Sequence, residues 1–191
     1  MKNYIYQLKM KSGVNMALDN TMKNLINDTV DAIIRWYNID IPIYDIDKVV
    51  KDMGGKVIEN PYIDGFSDGK IRKTGSNSFQ IEVSPYQTEE RRNFTIAHEL
   101  GHLFLHMGFR TNDEIWEQQN CKFYYRNGNS ALEYQSNEFA AALLMPQDEY
   151  ERIMYDNIEG NLVNTSEIAR YFHVSVDAAA NRGKWLGYLK W

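Results

Sequence analysis

The sequence predicts an α+β fold in which helices bracket a small antiparallel sheet. Apolar residues recur at helical spacing from about Asp19 to Tyr37. Short stretches between Lys56 and Ser84 alternate in polarity and are separated by turn residues. Helical periodicity returns after Thr88 and persists to the C-terminus. A helix, a small sheet and then further helices is an α+β order, with the sheet packed on the helix that follows Thr88.

Each element has a local reason. Met22, Leu25, Ile26, Ile33 and Ile34 give the first helix one apolar face. Pro42 interrupts, and Tyr44–Met53 reads as a short helix stopped by Gly54-Gly55. The strands are Lys56–Glu59, Phe66–Arg72 and Ser78–Ser84; in the last, Phe79, Ile81 and Val83 share one face and Gln80 and Glu82 the other. Asp64-Gly65, Asp68-Gly69 and Thr74-Gly75-Ser76-Asn77 supply the turns. Thr88 is an N-cap, with Glu89 and Glu90 in a first turn where acidic groups favour the helix dipole. That helix should run to about Met107, with Gly108 as a left-handed cap. Residues 109–130 are polar and aromatic, with a little strand at Tyr124-Tyr125 and a turn at Asn127-Gly128-Asn129. A second strong helix spans Ala131–Met145 and ends before Pro146, and short helices follow near 147–156, 165–172 and 175–187. Residues 1–18 form a weakly patterned N-terminal tail or added element, 19–160 the main domain, and 161–191 a helical C-terminal extension packed on it.

Composition excludes several classes. At 191 residues, 43% hydrophobic and 25% charged, the chain suits one soluble globular domain with a real core. A net charge of −5 argues against an extended nucleic-acid surface. Cys121 is the single cysteine, so neither a disulfide framework nor a CxxC knuckle is available. The N-terminus has no secretory h-region, and the longest apolar run, Phe139–Met145, is about one-third of a membrane span. A cytoplasmic, reduced setting is expected, with no membrane partner.

The chemistry concentrates in Ala97-His98-Glu99-Leu100-Gly101-His102. Residues four apart on a helix lie on one face, so His98 and His102 can grip one metal ion with Glu99 beside its open position. That suits Zn²⁺, whose catalytic centres keep three protein ligands and one exchangeable site. Glu99 reads as the base that takes a proton from water. Gly101 costs a helix about 1 kcal/mol against alanine and would admit a neighbouring segment closely. His106 lies about 12 Å along the axis from His98, too far to share an ion, and reads as a supporting, cleft-wall or core residue. The third ligand must come from elsewhere. Glu133 shares a helix face with Asn137, an amide able to orient a ligating imidazole, while Glu138 lies about 140° around from Glu133. Glu138, Asp113, Glu114, Glu117 and a histidine remain alternatives to Glu133 on residue chemistry alone.

The run Arg92-Asn93-Phe94-Thr95-Ile96-Ala97-His98-Glu99-Leu100-Gly101-His102-Leu103-Phe104-Leu105-His106, then Glu133 and Asn137-x-Phe139-Ala140-x-x-Leu143-Leu144-Met145-Pro146, resembles the ImmA/IrrE family of metallopeptidases. The resemblance covers roughly residues 20–187, and Ser136 stands where the family usually has alanine. It implies a zincin-like fold, His98, His102 and Glu133 as zinc ligands, and Glu99 as catalytic base. It also implies a prokaryotic or phage setting and a protein substrate, a helix-turn-helix repressor whose cleavage derepresses genes.

Thr165 to Gly187 itself looks like a helix-turn-helix, but Arg170, Arg182 and Lys184 are nearly balanced by Glu167 and Asp177, which favours packing or partner docking over direct nucleic-acid binding. Cys121 reads as a bystander thiol. Tyr124, Tyr125 and Arg126 are candidates to stabilise an oxyanion, or else fold aromatics and a surface charge. The resulting reading is a zinc-dependent endopeptidase. Its rivals are a non-proteolytic regulator with a structural zinc site, binding DNA or a repressor, and a toxin-like hydrolase of a toxin–antitoxin pair.

Overall fold

The computed structural model describes residues 19–63, 68–120 and 130–190. Residues 1–18, Gly65-Phe66, Cys121, Tyr124 to Arg126 and the turn at Asn127–Asn129 lie outside them.

Helix α1, Asn20–Tyr37, starts where the Asp19 side chain accepts from the Met22 N–H at 2.7 Å. It buries Met22, Ile26, Val30 and Ile33, a stripe at spacings of three and four, and ends at Asn38 in the left-handed region. Helix α2, Ile46–Asp52, is shorter than Tyr44–Met53 because Asp45 caps it by accepting from the Lys48 N–H. Gly54, at φ +93, then turns the chain into the sheet, and a Cβ there would stand 2.7 Å from the Asn77 carbonyl oxygen.

Strands β1 (Gly55–Glu59), β2 (Gly69–Gly75) and β3 (Ser78–Val83) form a sheet in the order β1-β3-β2. The expected antiparallel pairing holds between β2 and β3, whereas β1 runs parallel to β3, Gly55 facing Phe79 and Glu59 facing Val83. The sheet is therefore mixed. Positions Phe79 to Val83 of β3 are all buried, so this strand takes the centre and needs a partner on each edge. β3 therefore separates β1 from β2, with β1 running along it and β2 running against it. Alternation in sequence reports faces, not direction. The second face is also covered: Gln80 and Glu82 are buried, and Glu82 accepts from Gln80 Nε2 at 2.9 Å and Asn60 Nδ2 at 2.6 Å.

Helix α3, Glu89–Leu105, is capped by Thr88 and packs on β2 and β3. It ends two residues before Met107, and Gly108, at φ +82, makes the predicted left-handed turn. A short helix unmarked in the sequence reading, α4 (Asp113–Gln118), follows its Asn112 cap. Helix α5, Ser130–Leu144, lies along α3 in the largest helix–helix contact of the fold. The remainder is α6 (Gln147–Asp156), a two-stranded ladder of β4 (Ile158–Glu159) and β5 (Leu162–Val163), α7 (Thr165–Phe172) and α8 (Val176–Trp185). Among the described residues no helix is long and apolar enough to cross a membrane.

Side chains from the sheet, α3 and α5 share one core that includes Ile71, Ile81, Leu100, Phe104 and Phe139, with the Phe104 and Phe139 rings stacked at 5.9 Å. Gly101 is where α3 and α5 come closest. A Cβ on it would stand 2.9 Å from Ser136 Cα, 3.1 Å from the Ser136 carbonyl oxygen and 3.2 Å from Phe139 Cβ. The first two neighbours are backbone and cannot rotate away.

Gly101→Ala should therefore destabilise the protein even though alanine favours helix, because the steric penalty of overpacking, about 1–3 kcal/mol, exceeds the propensity gain of about 1 kcal/mol. Chemical denaturation of the two proteins checks this. A variant as stable as the parent would mean that the helices are not in backbone contact there.

Candidate functional site

Two helices and the geometry of their contact create one polar cluster. On α3, His98 and His102 are buried one turn apart, with their Nε2 atoms 3.0 Å from each other. Glu133, in the first turn of α5, reaches across so that one carboxylate oxygen lies 3.3 Å from His98 Nε2 and the other 3.4 Å from His102 Nε2. Ligands bonded at about 2.0–2.2 Å in a tetrahedron are themselves about 3.3–3.6 Å apart; both Glu133 separations fall in that range, the two imidazole nitrogens are slightly closer at 3.0 Å, and the N,N,O donor set suits Zn²⁺. Among the described residues this trio is the one group whose chemistry and mutual distances suit a metal ion.

Asn137 completes the arrangement. Its Oδ1 accepts from His98 Nδ1–H at 2.8 Å, which leaves the ring's lone pair on Nε2, facing the trio. His106 stands apart: its Nε2–H donates to the Leu132 carbonyl at 3.3 Å and joins the end of α3 to the start of α5. Burial, with His102 alongside, pushes its pKa down to about 4, so the ring is neutral near pH 7.

Asp113 and Glu114 fall outside the trio, and the other two acidic candidates are engaged elsewhere. Glu117 faces Lys73 at 3.5 Å. Glu138 is buried in an ion pair with Arg182 of α8, Nη1 to Oε1 at 2.8 Å, and accepts from Asn27 Nδ2 of α1 at 2.9 Å. Arg182 also donates to the Met145 carbonyl at 3.1 Å and to Asn27 Oδ1 at 2.9 Å. Burial pulls its pKa below the usual guanidinium range against the opposing pull of Glu138. This three-helix latch was not legible in the sequence, where Arg182 counted as one charge of a helix-turn-helix surface. Arg170, counted likewise, is paired with Glu167 within α7.

Glu99 is buried on α3 beside the first residue of β2. A Cβ on Gly69 would stand 2.6 Å from Thr95 Cγ2 and 3.1 Å from Glu99 Oε1, so the missing side chain makes room for the carboxylate. The chain just before it is tied down: Gln87 Nε2 donates to the Asp68 carbonyl at 2.6 Å, and Arg91 pairs with the Asp68 carboxylate.

The trio opens onto a cleft of about 700 Å³ whose lining includes His98 and Glu133, Phe94 and Thr95 of α3, Ala141 of α5, and Ala178 and Trp185 of α8. The helix-turn-helix-like segment thus walls this cleft with its second helix. Three converging donors, a buried carboxylate on the same helix and an adjoining cleft are the parts needed to bind and hydrolyse an extended substrate.

The chain belongs to the peptidase M78 family: the model of that family, an IrrE N-terminal-like domain, matches residues 51–184. It therefore carries a metallopeptidase-type domain, and its mixed α+β architecture is consistent with that family's zincin-like fold. No curated protein matches the chain. Among solved structures, a Mycobacterium tuberculosis transcriptional regulator is similar, with 15% identity over 82% of this chain and a TM-score of 0.56. This chain spans 45% of that regulator's length, and a likeness at such identity bears on the fold.

The roles of Glu133 and Glu138 separate by zinc titration. Glu133→Ala should lose tight Zn²⁺ binding, and Asn137→Ala should weaken it about 10–100-fold by freeing the His98 ring. Glu138→Ala should bind Zn²⁺ like the parent yet lose about 3–5 kcal/mol of stability, because Arg182 is left buried and unpaired. Zinc titration alongside thermal unfolding distinguishes them; zinc loss in Glu138→Ala with retention in Glu133→Ala would reverse the assignment.

Proposed function

We propose that the chain is a zinc-dependent endopeptidase that hydrolyses a peptide bond in a protein substrate, with His98, His102 and Glu133 as metal ligands and Glu99 as catalytic base. The observation that carries this reading is the convergence of two imidazole nitrogens and one carboxylate within 3.4 Å beside an open cleft. A structural zinc site is normally closed by four protein ligands, so a three-ligand set next to a cleft favours catalysis over a purely structural role.

Zinc bound by the trio supplies Lewis acidity, enough to make water a nucleophile near neutral pH. The remaining work belongs to the chain. Asn137 holds the His98 ring in one tautomer, Glu99 takes the proton released as water adds to the scissile carbonyl carbon, and Glu99 returns that proton to the nitrogen as the C–N bond breaks. The absent Gly69 side chain leaves the carboxylate of Glu99 room on that side of α3. A helix-turn-helix repressor is the substrate class we favour, acting in the cytoplasm; it rests on the resemblance carried by the two helical motifs.

Glu99→Gln preserves size and hydrogen bonding but removes the base. Zinc content should stay at the parent level while cleavage of a repressor encoded beside this chain falls by at least about 100-fold. Metal analysis and gel-based proteolysis, with a chelator control, read both quantities. Near-normal turnover in the variant would remove this mechanism.

A further inference from the structure

As water adds to a carbonyl carbon, its oxygen gains negative charge, and a hydrogen-bond donor fixed at that oxygen lowers the barrier. The guanidinium donors lining the cleft are already committed. Arg91 pairs with Asp68, and Arg182 is spent on Glu138, Asn27 and the Met145 carbonyl. Thr95 donates to Gln87; Thr88 and Ser175 accept from backbone N–H groups at the starts of α3 and α8, and Asn137 accepts from His98 through Oδ1, its amide N–H remaining available. Tyr134 differs. It lines the cleft, is 54% exposed, and no hydrogen bond joins its hydroxyl to another described residue.

Its place on α5 is favourable. Glu133, Tyr134, Asn137, Glu138 and Ala141 all line the cleft. At about 100° per residue they span about 140° of the helix, with Glu133 at one margin, Glu138 at the other, and Tyr134 between them. Tyr134 directly follows Glu133, so the helix that brings the third ligand to the histidines brings this phenol into the same cleft. Asn181, another amide donor in the lining, belongs to α8.

From this placement we infer that Tyr134 is a further catalytic residue, its phenol O–H donating to the scissile carbonyl oxygen as negative charge develops there. The proton stays on the phenol; Glu99 alone exchanges a proton with the reacting atoms. The inference rests on the peptidase reading, and it assigns the oxyanion role to a residue outside the Tyr124–Arg126 segment.

The test is Tyr134→Phe, which removes one exposed hydroxyl and leaves the ring. Labelled casein is the activity probe. A peptide phosphonamidate, which mimics the tetrahedral state, and a thiol peptide of the same sequence, which lacks its oxygens, are the binding probes on zinc-loaded protein. The variant should keep its zinc and its KM, lose about 10²–10³-fold in kcat, and bind the phosphonamidate more weakly by a similar factor. Its affinity for the thiol peptide should be unchanged. Equal phosphonamidate affinity in variant and parent overturns the role of Tyr134, as does a selective loss in Asn181→Ala instead. If Glu99→Gln abolishes casein cleavage while Tyr134→Phe retains it, only the present inference fails. If the parent protein binds neither peptide, the peptidase reading fails and this inference with it.

Discussion

A single helix can offer two metal ligands by placing histidines four residues apart, but a third ligand requires a second element whose distance is set to within an ångström. Here that distance is set by the contact of α3 with α5 at Gly101. With no Cβ, the α3 backbone approaches Ser136 closely enough for the short Glu133 side chain to reach both imidazoles. Ser136, fully buried, is small for the same reason. A larger residue on either side would part the helices, and Glu133 would withdraw from the histidines before any ligand was itself altered.

The rotation of α5 about its own axis matters as much as its distance. Glu133 and Glu138 sit on the two margins of its cleft face, and each is satisfied by a different neighbour. The buried Arg182 pair clamps the Glu138 margin to α8 and, through Asn27, to α1. Taking a guanidinium and a carboxylate out of water carries a desolvation penalty comparable to their attraction, so the pair specifies geometry more than it adds stability. The C-terminal helices then serve the site as a wall, with Arg182 turned inward to hold α5 and unavailable to an outer surface.

What could be read from the sequence was what depends on neighbours along the chain. The His98–His102 spacing, the cap at Thr88, the helix stop at Gly54-Gly55 and the left-handed turn at Gly108 follow from periods and side-chain chemistry within a few residues. Glu133 was one of several carboxylates until its helix was placed beside α3; the helical face it shares with Asn137 was the local signal. The direction of β1, the burial of Gln80 and Glu82, and the Arg182–Glu138–Asn27 latch depend on elements far apart in sequence, and no local pattern encodes them. Helix α4 did carry a signal, Asn112 followed by Asp113 and Glu114, but its six residues are too few to show a period.

Helix α3 is held from two sides, and the order of its side chains shows why the ligands and the base can differ in environment. At about 100° per residue, Gly101, His98, His102, Thr95 and Glu99 follow one another around its surface. Gly101 faces α5 and Glu99 faces β2, each beside a missing side chain: Gly101's own, and that of Gly69. The histidines lie between these contacts, where Glu133 meets them. Two close backbone approaches thus fix one helix against both a helix and a strand, which keeps the candidate ligand trio and the buried carboxylate in register although they belong to different faces. That rigidity suits the proposed role of Glu99, because a general base must stay within hydrogen-bond reach of the attacking water.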